Sequence, residues 1–107
     1  MFAKLTIGEK EVELSANAAT PFRFKQVFHK DIFAVFGNEQ KAEQEGFETI
    51  AELAYIMAKS AEKADMSKLN EEDFIGWLEG YEPMDFANAA EDILNAYMGN
   101  TETSANP

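Results

Sequence analysis

A chain of 107 residues, 46% of them hydrophobic, is long enough for one domain with its own core and too short for two. Its formal net charge of −11 and its lack of cysteine argue against a nucleic-acid-binding surface, disulfide bridges and thiolate metal sites. It also lacks an apolar run of ~18 residues and a signal-peptide pattern, so we expect a protein of the cytoplasm without membrane or nucleic-acid partners.

The negative charge is concentrated towards the C-terminus. Up to Lys68 there are eleven acidic and nine basic residues, whereas Leu69 to Pro107 contain nine acidic residues and no basic one. Two interpretations are open for this uniformly negative third. It forms a solvated face that keeps the protein dispersed, or it receives a basic segment of a partner.

The first element predicted is a β-hairpin. Apolar residues alternate in the segments 2–7 and 11–14, which places Leu5 and Ile7 on one face together with Val12 and Leu14. Gly8 supplies the turn between the two strands. Because an isolated two-stranded ribbon is marginally stable in water, its apolar face must pack on helices or be covered by another chain.

A helix is predicted to start at Thr20, a good N-cap, with Pro21 in its first turn. The residues 29–31 resemble a break, after which an apolar segment continues to a C-cap at Gly37. Five phenylalanines lie in this region and cannot all share one side of a continuous helix. Either the break turns both halves towards one core, or part of the set forms an exposed patch that recognises protein; its members are Phe22, Phe24, Phe28, Phe33 and Phe36.

The middle of the chain predicts one long helix. Residues 38–46 are polar and indicate a loop or a frayed helix start, and from Phe47 apolar residues recur at helical spacing as far as Ala61. The apolar face is wide, which is typical of a central helix with neighbours on two sides. Residues 64–69 are expected to form a connector.

The C-terminal part predicts a helical hairpin. Asn70 is a favourable N-cap before an apolar stripe that includes Trp77 and Tyr81, and Gly80 and Pro83 end this helix. Asp85 is expected to cap a second helix, which ends at a left-handed Gly99. Both stripes fit core packing, with Trp77 and Tyr81 as alternative contact residues for a partner.

No catalytic motif is recognisable. His29 is the single histidine, the acidic clusters lack the spacing of a calcium loop, and no phosphate-binding glycine loop or nucleophile elbow occurs. We therefore expect a non-enzymatic protein without catalytic, metal-binding or cofactor-binding residues, and thus without cofactors.

The segment WLEGYEPMDFANAAEDILNAYMGN and the opening AKLTIGEKEVELS resemble the small tail assembly chaperones of long-tailed phages and prophages. The resemblance implies a chaperone in the host cell cytoplasm that binds and masks the tape measure protein. It further implies that the protein helps to recruit tail tube subunits and is absent from the mature virion. The alternative is a structural tail completion or connector protein, or another adaptor subunit, that remains in the particle.

These observations together predict a mainly α fold of the α+β class, with an N-terminal β-hairpin, about four or five helices and a C-terminal helical hairpin. Residues 1–99 would form a single domain, and residues 100–107 a disordered tail. The surplus of apolar groups also predicts self-association. The candidate protein-binding residues are Phe22, Phe24, Phe28, Phe33, Phe36, Trp77 and Tyr81.

Overall fold

A computed structural model describes residues 2–99; the expected tail, residues 100–107, lies outside the described residues. The predicted class is confirmed, since an antiparallel hairpin precedes a mainly helical body. Residues 2–99 contain six α-helices, because short breaks divide both the helical segment that follows the hairpin and the last helical segment. The elements are β1 (Phe2–Ile7), β2 (Lys10–Ser15), α1 (Thr20–Phe28), α2 (Ile32–Phe36), α3 (Glu39–Ala61), a 3₁₀ turn (Met66–Lys68), α4 (Glu71–Leu78), α5 (Asp85–Asn88) and α6 (Ala90–Met98).

The hairpin forms at the predicted place, although its second strand begins at Lys10, one residue before the predicted segment 11–14. Ala3 pairs with Leu14 and Ile7 with Lys10, so that two residues, Gly8 and Glu9, make the turn. Gly8 has φ 65°, a left-handed conformation that glycine adopts without steric cost. The apolar face of the hairpin packs on α3, α5 and α6. Helices, and not a second chain, therefore cover this face.

A left-handed residue separates α1 from α2. His29 has φ 59° and donates its backbone N–H to the carbonyl of Lys25, which ends α1. The Asp31 carboxylate then accepts the backbone N–H of Phe33 at 2.8 Å and caps α2. The expected N-cap at Thr20 is wrong: Ala19 occupies the cap position, and the Thr20 hydroxyl accepts the N–H of Asn17.

Helix α3 is the centre of the fold and contacts the hairpin and all the other α-helices. It starts at Glu39, ahead of the apolar segment, because the Asn38 side chain accepts the N–H of Lys41 and caps the polar first turns. Leu53, Ala54 and Tyr55 are fully buried on successive faces of this helix. The expectation of a central helix with neighbours on more than one side is thus met.

The C-terminal elements return across α3. The Asn70 side chain accepts the N–H of Asp73 at 2.8 Å and caps α4, as predicted. Gly99 ends α6 with φ 78°, also as predicted. The cap expected at Asp85 is wrong: Met84 holds that position, and the Asp85 carboxylate accepts the N–H of Glu82 instead, which closes the turn between α4 and α5.

Candidate functional site

The seven residues predicted to bind protein fall into three groups. Phe24 and Phe28 are core residues with 0% and 5% exposure, which corrects their assignment to a binding surface, because α1 turns them inward against α3. Phe22 and Phe33 are exposed at 72% and 66%. The remaining three are partly buried and pack against the core: Phe36, Trp77 and Tyr81.

Trp77 lies at the junction of α3, α4 and α5. Its ring is 5.6 Å from that of Tyr55, 5.1 Å from that of Tyr81 and 5.5 Å from that of Phe86, measured between centroids. Such tilted and edge-to-face contacts stabilise aromatic clusters. Trp77 therefore holds α4 and the following turn on α3, which is the structural role considered for it.

An open groove, here called the α3–α4 groove, lies between α3 and α4 and has a volume of about 660 Å³. Phe47 and Ile75 face it and remain 54% and 50% exposed, although both side chains are large and apolar. Phe74 and Phe86 belong to the hydrophobic core and also form the floor of the groove. The other residues of its lining are Glu48, Ala51, Glu52, Glu71, Glu72, Leu78, Tyr81, Glu82 and Pro83.

The rim of the α3–α4 groove is acidic. Among the described residues, its lining includes five glutamates and no lysine, arginine or histidine. Glu71 and Glu72 also stand in the first turn of α4, where the helix dipole stabilises negative charge. The groove thus combines an apolar floor with a negative edge.

One glutamate of the groove is buried and paired. Glu52 on α3 is 4% exposed, and its Oε1 lies 2.7 Å from the Nζ of Lys30, which reaches over from the break between α1 and α2. The same ammonium group lies 3.2 Å from the exposed Glu48. Burial raises the pKa of Glu52 to about 7, and the pairing with Lys30 offsets only part of that increase.

The pKa of Lys30 is also raised, which for a lysine favours the charged form. Burial by itself would lower its pKa, but the hydrogen bonds and negative charges of Glu52 and Glu48 outweigh that effect and raise the pKa above its usual value. Lys30 is therefore charged at neutral pH. It neutralises about one of the five negative charges around the groove, which leaves the rim negative.

A buried tyrosine fixes the other wall. The hydroxyl of Tyr55 on α3 donates to the Asp73 carboxylate in the first turn of α4 at 2.5 Å. Burial and the nearby carboxylate raise the pKa of Tyr55, so the hydroxyl keeps its proton and remains a donor. This bond and the Trp77 cluster set the separation of α3 and α4, and hence the width of the groove.

Of the seven residues predicted from the sequence, Tyr81 alone lines the groove. The sequence pattern places Phe47 in the apolar face of α3 and Ile75 beside the apolar stripe of α4, so neither is among the predicted binding residues. One feature of the sequence does point to Ile75: it is apolar but lies outside the stripe of α4 that packs against the core, which indicates a second apolar contact surface. Sequence alone does not reveal which side of α4 a neighbouring helix leaves uncovered.

Within residues 2–99, no group of three or more His, Asp or Glu side chains is arranged to hold a metal ion. His29 is exposed and acts through its backbone at the end of α1. None of the helices in this part of the chain combines the length and apolar character required to traverse a bilayer. The α3–α4 groove is the candidate site that the geometry offers.

No protein-family model, curated protein or solved structure matches this chain.

Proposed function

We propose that this protein is a non-enzymatic phage tail assembly chaperone that masks apolar segments of the tape measure protein in the host cell cytoplasm. The α3–α4 groove is the observation that carries the proposal. Its exposed Phe47 and Ile75 provide an apolar surface that a stable, isolated domain does not need. The resemblance of the hairpin and of the C-terminal helices to this family of chaperones supplies the identity of the client.

Masking requires binding that is reversible. An open groove beside half-exposed apolar side chains covers a client segment without enclosing it, so that the segment can leave as tail tube subunits arrive. Phe22 and Phe33 are exposed apolar side chains outside the groove lining and offer contacts for self-association along an extended client. Many weak contacts on one long client gain strength from their high effective concentration.

The test is co-expression with fragments of a phage tape measure protein. The chaperone should keep the fragments in the supernatant, and Ile75→Ser should reduce the soluble fraction. Met98→Ser is the matched control, because Met98 is similarly exposed, at 59%, and lies outside the groove lining. Unchanged precipitation of the fragments would refute the proposed function. Recovery of the protein in purified virions would favour the structural tail subunit instead.

A further inference from the structure

We propose that the α3–α4 groove recognises a basic amphipathic helix, whose apolar face lies on Phe47, Ile75 and Leu78 and whose lysines or arginines pair with the glutamates of the rim. This inference rests on the proposed function and specifies the kind of client segment that is masked. It assigns to the acidic rim a role in recognition, in addition to its role at the N-terminus of α4.

The dimensions of the groove favour a helix as its occupant. The wall formed by α4 spans the eight residues Glu71–Leu78, about 12 Å along the helix axis. Two to three turns of helix fill that length and present apolar side chains at i, i+3, i+4 and i+7, which is the common mode of helix recognition in an apolar groove. The exposed Phe47 and Ile75 stand on opposite walls and would contact such a face from both sides.

Charge complementarity makes the occupant basic. Glu48, Glu71, Glu72 and Glu82 are exposed at the rim. Among the described residues, Lys30 is the one cation in a salt bridge with the groove lining, and Glu52 and Glu48 already hold it. A neutral or acidic helix would leave these carboxylates unpaired or repel them. Cations along both edges of an apolar stripe would satisfy them without burying a charge.

The chain itself offers no adequate occupant. Residues 100–107, NTETSANP, contain no large apolar side chain and one acidic residue, so they suit neither the floor nor the rim. A second copy could offer α1, where the exposed Phe22 adjoins Arg23 and Lys25. That helix, however, buries Phe24, Val27 and Phe28 in its own core and presents one aromatic anchor instead of a stripe.

The test uses a fluorescein-labelled model peptide of about 15 residues, with leucine at i, i+3, i+4 and i+7 and lysine at the flanking positions. Fluorescence anisotropy with the full chain should show saturable binding, weaker at about 0.5 M salt than at low salt. A peptide with glutamate in place of lysine should not bind. A peptide with glutamine in place of lysine should bind less tightly.

Two pairs of variants locate the site. Ile75→Ser should weaken binding about tenfold, whereas Met98→Ser should leave it unchanged. The double variant Glu71→Gln, Glu72→Gln should weaken binding about fivefold, since two exposed ion pairs are lost. The matched control is the double variant Glu91→Gln, Asp92→Asn, because these residues are also an exposed acidic pair in the first turn of a helix, α6. This control should bind the peptide as the unmodified chain does.

Three results would overturn the inference. Equal losses in both double variants would indicate general attraction to a negative protein. Equal affinity for the glutamine peptide would remove the charge requirement. A concentration-dependent increase in mass that Ile75→Ser abolishes would make a second copy the occupant. The proposed function is judged separately: it survives if tape measure fragments stay soluble despite Glu71→Gln, Glu72→Gln, and it fails if they precipitate with the unmodified chaperone.

Discussion

The substitution Glu52→Gln should remove a pH dependence that one buried carboxyl group imposes on stability. The pKa of Glu52 is raised from 4.5 to about 7, so the folded protein binds this proton more tightly than the unfolded chain does. The stabilisation is complete below the unfolded pKa and is lost as the pH rises through about 7. Each pKa unit corresponds to about 1.4 kcal/mol, which gives a total of about 3 kcal/mol.

Most of this change falls between about pH 5 and about pH 8, where we expect the stability of the unmodified protein relative to Glu52→Gln to decrease by about 2 to 3 kcal/mol. Urea unfolding at the two pH values, followed by the fluorescence of Trp77, the single tryptophan, measures this difference. The comparison between the two variants carries the result, because the absolute pH profile sums the contributions of every titratable group.

The surroundings of Glu52 supply the controls. Glu48→Gln removes an exposed partner of Lys30 and should cost at most about 1 kcal/mol. Lys30→Met leaves Glu52 buried without a cation and should be strongly destabilising at high pH, by about 3 kcal/mol or more, and less so at low pH. If Glu52→Gln and the unmodified protein differ by the same free energy at both pH values, burial does not perturb this carboxyl group and the reasoning is refuted.

Three further substitutions test how α4 is held. Trp77→Ala should lower the free energy of unfolding by about 2 to 4 kcal/mol, because a half-buried ring loses contact with three aromatic neighbours. An unchanged melting temperature would place Trp77 on the surface. Tyr55→Phe should cost about 1 to 2 kcal/mol through the lost bond to Asp73, and the same loss in an Asp73→Ala background would contradict that cause. Asn70→Ala should cost about 1 kcal/mol in urea unfolding, whereas no change would mean that the cap is dispensable.

The sequence predicted the elements whose ends depend on a few adjacent residues. Gly8, Asn70 and Gly99 act where they were expected to act, because a left-handed turn or a side-chain cap is a property of the local chain. Thr20 and Asp85 have the same capping chemistry but accept N–H groups outside their helices. Which backbone N–H such a side chain accepts depends on the N–H groups available a few residues away, and residue type alone does not predict the choice.

Burial was harder to predict because it depends on distant parts of the chain. The density of phenylalanine left open whether the whole set faces the core or part of it faces solvent. The structure buries Phe24 and exposes Phe22, because residues two positions apart on α1 point to opposite sides of the helix. Likewise, the sequence could not predict that Phe47 and Ile75 line a groove. Their exposure depends on the separation of α3 and α4, which the contacts of Tyr55 and Trp77 determine.

The buried Glu52 links pH to the proposed binding of a basic helix. A cation placed at the α3–α4 groove favours the ionised form of Glu52 and would lower the pKa of that group from about 7. Binding therefore releases protons in the range between the two pKa values, and the affinity for the leucine–lysine peptide should increase from about pH 6 to about pH 8. Anisotropy titrations at both pH values measure this increase, and calorimetry in buffers of different ionisation enthalpy measures the released protons. Glu52→Gln should abolish both effects while Glu91→Gln preserves them; proton release that persists in Glu52→Gln would assign the linkage to another group.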